Sequence, residues 1–371
     1  MPPLAGIRVL DFSTLLPGPL AGLLLAEAGA EVIKIERPGI GDEMRTYKPR
    51  IGEDSANFIL LNRAKRSIAL DLKAPDAIDK LTPLIKSTDV LIEQFRPGVM
   101  GRLGLGYDTV REMNPRLVYC SITGFGQIGP RRDMVGHDLN YLAIAGLLSL
   151  VKDQTGAPTM PHVTIADIAA GSYPAVINIL LALLQRQYTG RGTYLDVSMT
   201  DNLFVLSYWG LANGFVAGDW PRPGAALTTG GSPRYRIYQT AGGGHLAVAA
   251  IEQRFWDTFC RLIDLDPAVW DDARDPNGTI AAVSERIAAH PVAHWHRLFN
   301  EQDVCCAVIA NLEEAVRDAH VIARKLFHRR VRAGSREIPA LPVPIADEMR
   351  DPAESKTAPR LGADNDLLAK A

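Results

Sequence analysis

The sequence predicts a parallel, doubly wound α/β sheet for its N-terminal half, on two observations. Short β-branched, apolar runs alternate there with helix-length segments, and glycine and proline punctuate the turns between them. IRVLDF (7–12) is the first run. PGPLAGLLLAEAG (17–29) reads as a helix, with its prolines in the first turn and Gly29 closing it. EVIKIE (31–36) is the next strand, followed by SIALDL (67–72) and a helical stretch near 75–86. DVLIEQF (89–95) and LVYCSITGF (117–125) complete the series. In such sheets ligands bind beyond the carboxyl ends of the strands. The turn after the first strand is STLLPGPLAG rather than G-x-G-x-x-G, and the glycines of GRLGLGY (101–107) lie in another context, which argues against a nicotinamide enzyme.

A long apolar helix is expected from about 165 to 188, closed by Gly190 and Gly192, and then a strand, TYLDVSM (193–199). Within IADIAAGSYPAVINILLALL (165–184), Asp167, Ser172, Pro174 and Asn178 interrupt the apolar run. The clean stretch after them falls short of a bilayer's roughly 30 Å, so a buried helix is expected rather than a membrane span. Residues 213–233, thick with Gly, Pro and Trp, read as a linker. A second unit follows, with RYRIYQT and HLAVAA as a hairpin across AGGG (241–244) and helices to about 330. The Pro-rich IPALPVPI (338–345) leads to a polar tail and a last short helix, NDLLAKA.

The 371 residues, 47% hydrophobic and 22% charged, allow a large core and two domains. A net charge of −2 gives no sign of wholesale nucleic-acid binding. Cys120, Cys260, Cys305 and Cys306 show neither C-x-x-C spacing nor a disulfide framework. The opening MPPLAGIRVLDF does not read as a secretory leader, so a cytoplasmic protein is expected.

Several side chains are candidates for chemistry. The histidines of HPVAHWH (290–296) have no acid or cysteine at ligand spacing, so no metal is expected there. Basic residues concentrate between 34 and 102, among them Lys34, Arg37, Arg45, Arg63, Lys65, Arg66, Lys73, Arg96 and Arg102. Several fall at predicted strand ends, where guanidinium groups suit phosphate; an ordinary charged surface fits equally well. Three acid–base groups stand out: His137 in GHDLNY, Asp167 in TIADIAAGS, and Glu252 in LAVAAIEQRFW. Taken singly, each also fits a structural role, Asp167 and Glu252 as helix caps.

The ordered set of motifs resembles the family III CoA-transferase (CaiB/BaiF) and α-methylacyl-CoA racemase superfamily. It comprises GIRVLDFSTLLPGPLAGLLLAEAGAEVIKIERP, NRAKRSIALDLK, DVLIEQFRPGVMGRLGLGY, NPRLVYCSITGFGQIGP, GHDLNY, IADIAAG, TGRGTYLDVSM and TAGGGHLAVAAIEQRFW, running through LGADNDLL at 361–368. The resemblance implies a large Rossmann-like CoA-binding α/β domain from both chain ends (1–198 and 334–371). It further implies a smaller α+β domain (226–318), linkers at 199–225 and 319–333, and an interlocked homodimer. The substrate it implies is an acyl-CoA thioester, with CoA part of the substrate and no separate cofactor, nucleic acid or membrane. Residues matching the CoA-contact motifs are Arg37, Leu70, Asp71, Leu72, Lys73, Gly136, Asp138, Leu139, Asn140 and Tyr141, with Lys65, Arg96 and Arg102 added.

Within the superfamily, His137, Asp167 and Glu252 match the three positions that racemases use, which implies racemisation of 2-methylacyl-CoA thioesters through an enolate. Backbone N–H groups at the start of the helix near 167 are the expected donors to the enolate oxygen. The wording ADIAAGS is closer to that of the CoA-transferases. In them the equivalent aspartate attacks the thioester, and the resulting acyl anhydride passes CoA to a second carboxylate.

Overall fold

The structure, a computed structural model, describes residues 1–153 and 156–370, and the chain falls into two compact units. The larger comprises Met1–Ala145, Pro161–Leu206 and Ile322–Ala371. Its sheet begins with β1 (Arg8–Asp11), α1 (Pro17–Glu27) and β2 (Glu31–Glu36). After a short hairpin of β3 (Arg50–Ile51) and β4 (Asp54–Ser55) come α2 (Ala56–Asn62), β5 (Arg66–Ala69), α3 (Ala77–Lys86) and β6 (Val90–Glu93). Then follow α4 (Val99–Arg102), α5 (Tyr107–Met113), β7 (Val118–Thr123), α6 (Asp138–Ile144), α7 (Tyr173–Thr189), β8 (Tyr194–Ser198) and α8 (Met199–Leu203).

Six of these strands pair in parallel in the order β5-β2-β1-β6-β7-β8. Counted along the chain that order is 3-2-1-4-5-6, the Rossmann arrangement, reached without its glycine fingerprint. Val9 faces Val32 on one side and Val90 on the other, and these central strands are buried on both faces, which explains their unbroken apolar runs. The chain reverses its direction of travel across the sheet between β1 and β6, so a crevice opens there at the strand ends.

Helix α1 is buried along its whole length and depends on glycine for its fit. A Cβ on Gly18 would lie 2.1 Å from the Cβ of Ser13, and one on Gly22 would lie 2.9 Å from the Lys65 ammonium. The chain's C-terminal part returns to this unit. Glu27, nearly inaccessible, bonds Arg63 Nε at 2.7 Å and Arg350 Nη2 at 2.8 Å. Asp364 and Asn365 accept the N–H groups of Ser67 and Ala69 on edge strand β5. The short last helix spans Leu367–Lys370; Ala371, in the expected NDLLAKA helix, lies outside the described residues.

The long apolar helix spans nearly the expected residues, and its first part is a π-helical turn, Ala166–Ser172, that runs directly into α7. The joined 24 residues are long and apolar enough to cross a membrane by length and composition alone. One face packs on α1, β7 and β8 through Ala175, Ile179, Ala182 and Leu183. On that face Arg186 is buried, bonded to Asp89 Oδ1 at 2.9 Å and to the Arg116 carbonyl at 3.1 Å. The opposite face exposes Ile177, Leu180, Leu181, Leu184 and Tyr188.

The smaller unit holds Gly146–Met160 and Ser207–Val321. The linker reading of 213–233 starts too early, since α9 (Tyr208–Ala217) continues until Gly218 adopts a left-handed conformation and ends it. β9 (Tyr235–Gln239) and β10 (His245–Ala249) form the hairpin, with His245 opposite Gln239. α10 (Gln253–Leu262), α11 (Pro276–Ala288) and α12 (Val292–Phe299) follow, and then β11 (Cys306–Val308), a strand the sequence reading placed among helices. Trp256, Phe259 and Trp295 fill the core between sheet and helices.

Candidate active site

At the reversal between β1 and β6 the larger unit contains a cavity of about 540 Å³. Its walls come from the segments that follow three parallel strands: Leu15 and Pro17 after β1, Gln94–Pro97 after β6, and Phe125 with Arg132 and Met134–His137 after β7. Asn140 and Tyr141 of α6, Asp167 of the π-helical turn and Met199 complete it.

A buried charge cluster fixes the segment after β1. Lys65 Nζ lies 2.9 Å from Asp11 Oδ2, and Lys34 Nζ lies 2.9 Å from Asp42 Oδ2, all four side chains being inaccessible. The Ser13 N–H donates to Asp11 Oδ1 at 3.0 Å, and the Ser13 carbonyl accepts from Lys34 at 2.6 Å. The Leu15 N–H donates to Asp42 Oδ1 at 3.1 Å. Leu15 is thereby held at φ 64°, a left-handed conformation that costs a non-glycine residue of order 1 kcal/mol. Burial alone would raise the Asp11 pKa, but the Lys65 and Lys34 cations hold it down to about 2.

The segment after β7 reaches α6 at His137. The His137 N–H donates to Asn140 Oδ1 at 3.0 Å, while the Asn140 N–H donates to the His137 carbonyl at 2.8 Å. This reciprocal pairing leaves the imidazole, which is exposed, directed at the cavity wall rather than at a cap. Tyr141 packs over Gly124, whose missing side chain makes the room, and edge-on against Phe125.

Asp167 sits in the first turn of the π-helical segment, a distortion of the i→i−4 ladder common at functional positions. Its N–H donates to Asp138 Oδ1 at 2.9 Å, and its carbonyl accepts from the Ser172 hydroxyl at 3.0 Å. The same hydroxyl bonds the Pro17 carbonyl at 2.8 Å, which ties the Asp167 turn to the segment after β1. Burial, and then the nearby Asp138 carboxylate, push the Asp167 carboxyl up to about 6, against a lowering by His137. An acid titrating there can give or take a proton near neutral pH.

The cavity thus gathers Arg96, Gly136, His137, Asn140, Tyr141 and Asp167 from the expected set. Arg37, Asp71, Lys73 and Arg102 lie exposed after β2 and β5 and on α4, near the strand ends but outside the cavity wall. Leu70 is buried in the hydrophobic core, with Leu72 partly buried against it, and Leu139 is exposed on α6. Glu252 belongs to the smaller unit, where it occupies the N-cap position of α10 without a side-chain capping bond.

Lys65 corrects the sequence reading. Its three N–H donors are used internally, by Asp11, the Pro19 carbonyl and Asn62 Oδ1, so it has none for a phosphate. The Asp167 N–H, expected among the free donors to an enolate, is occupied by Asp138. His290 and His294 stack at 4.1 Å against Trp295, and among the described residues no group of three ligating side chains gathers. Sequence reasoning missed the Asp138–Asp167 contact, which spans 29 residues and no periodicity, and it also missed Arg132 on the cavity wall.

The sequence pattern of CoA-transferase family III matches residues 4–365. The chain is 35% identical to α-methylacyl-CoA racemase of Mus musculus, over 87% of this chain and 82% of that one. It is 32% identical to succinyl-CoA:glutarate CoA-transferase of Homo sapiens, over 86% of this chain and 74% of that one. A CaiB/BaiF family protein from Brucella suis has a similar structure, with a TM-score of 0.84 at 26% identity, covering 99% of this chain and 98% of that one. Rv3272 from M. tuberculosis is similar at a TM-score of 0.84 and 27% identity, covering 99% of each chain.

Proposed function

The chain belongs to CoA-transferase family III, and on that premise we propose that it interconverts the two configurations of 2-methylacyl-CoA thioesters by 1,1-proton transfer. One observation carries the proposal: His137 and Asp167, distant in sequence, wall a single cavity at the reversal point of the sheet, and Asp167 is tuned to titrate at about 6.

The α-hydrogen of a thioester is only weakly acidic, so its removal needs a positioned base and a stabilised enolate. In one direction the Asp167 carboxylate takes the α-proton and the C–H electron pair moves into the thioester carbonyl. The His137 imidazolium then returns a proton to the opposite face of the same carbon. The reverse direction exchanges the two roles. Asp138 occupies the Asp167 N–H, so the enolate oxygen must be met by other donors of that turn.

The exposed cations Arg37, Lys73, Arg96 and Arg102 at or just beyond the strand ends support binding of the CoA phosphates. The apolar face of α7 supports the interlocked homodimer, and four unpaired cysteines support a cytoplasmic setting. A second reading, CoA transfer through an Asp167 acyl anhydride, is favoured by the transferase relative, which matches as much of the chain as the racemase does.

Incubation with a 2-methylacyl-CoA in D₂O separates the two. Deuterium entering the α-position without any acceptor acid supports racemisation. CoA transfer that requires a carboxylic acid, with no exchange in its absence, overturns it.

A further inference from the structure

From the cavity wall we infer that Arg132 selects acyl groups that carry a carboxylate of their own. The inference rests on the acyl-CoA reading above. Arg132 lines the cavity five residues before His137, on the same segment leading into α6. Its ion-pair partner in the structure is the adjacent Asp133, with Nε 3.6 Å from Oδ1 and side chains 44% and 77% exposed. A pair so long and so solvated holds little energy, and the planar fork of donors stays available to an anion.

The neighbouring wall, Met134 and Val135 on the same segment and Leu15 across the crevice, is apolar. That apolar stretch beside the Arg132 guanidinium fits a short carbon chain that ends in two anionic oxygens; Arg96 is the other guanidinium on the wall. The Asp167 carboxylate in the same cavity repels such a ligand, so a cation on the wall is what would admit it. A phosphate offers the same oxygens. However, of the cations assigned above to the CoA phosphates, Arg37, Lys73 and Arg102 lie outside this cavity and Arg96 enters it from the segment after β6, whereas Arg132 stands on the segment that carries His137.

Titration calorimetry on the whole protein with two unreactive thioethers, S-butyl-CoA and S-(3-carboxypropyl)-CoA, tests the assignment. The parent protein should bind the carboxylated thioether about tenfold more tightly or better. Arg132→Met should erase that preference while leaving S-butyl-CoA within about twofold, and Arg132→Lys should keep part of it. Absence of a preference in the parent overturns the inference. So does an equal loss for both thioethers in Arg132→Met, which would assign the residue to a CoA phosphate. Neither thioether has a carbonyl to enolise or attack, so the outcome is independent of which reaction the protein performs. Failure of the acyl-CoA reading itself would show as binding of neither.

Discussion

Asp167 and Glu93 show how one functional group, the carboxyl, acquires different titration behaviour from its surroundings. Asp167 is half-buried beside Asp138, and at pH 7 a carboxyl with a pKa of about 6 is ~90% ionised yet readily reprotonated. Asp167→Asn should abolish α-deuterium exchange in D₂O. Asp138→Asn keeps an acceptor for the Asp167 N–H but removes the negative charge, so the acid limb of the kcat profile should move to lower pH. An unshifted limb would show that Asp167 is not the group being titrated. Glu93, at the end of β6, is raised to about 7 by burial; Ser121 and the Phe95 N–H lower it and Asp196 raises it. Between about 4.5 and about 7 the folded state therefore binds more protons than the unfolded one, and stability falls as pH rises through that window. Denaturant titrations should show Glu93→Gln gaining on the parent by on the order of 3 kcal/mol more at pH 8 than at pH 4.

At the scale of elements, the site depends on segments that leave parallel strands and are held by charges beneath them. The apolar, β-branched composition of β1, β2, β6 and β7 was readable because strands buried on both faces need no polar alternation. The prolines at the start of α1 announced its first turn for an equally local reason. Lys65 was misread because a lysine in a basic stretch looks the same whether it meets solvent or a buried aspartate. Its environment is set by Asp11, 54 residues away. The π-helical turn was read as ordinary helix, since its composition is that of an apolar helix and only the backbone pairing differs. β11 was missed because three residues carry too little periodicity to register. Lys34→Met leaves Asp42 without its cation and the Ser13 carbonyl without its donor, and should cost about 3–5 kcal/mol in urea denaturation. A loss below about 1 kcal/mol would mean that the cluster does not hold the segment.

For the whole molecule, the face of α7 turned away from the sheet exposes Ile177, Leu180, Leu181 and Leu184 side by side, and contiguous apolar surface of this kind marks contact sites. On the proposed homodimer reading, the parent should sediment as a dimer at equilibrium, and replacing Leu180 and Leu184 together by glutamate should give a monomer. A parent of monomer mass would overturn that reading. The order of strands and helices in the larger unit, and the candidate residues His137 and Asp167, were accessible in the sequence, because propensity and motif wording are local properties. The resemblance of its motifs also fixed the family, since their order runs along nearly the whole chain. The 3-2-1-4-5-6 pairing, and hence which strand ends face each other, was not accessible. Nor were the charge cluster that locks Leu15, the hold of Asp138 on Asp167, and the shared cavity wall of Arg132, His137 and Asp167. Those contacts join residues tens of positions apart, and no local preference encodes such distances: they exist only once burial of the sheet has brought the strand ends together.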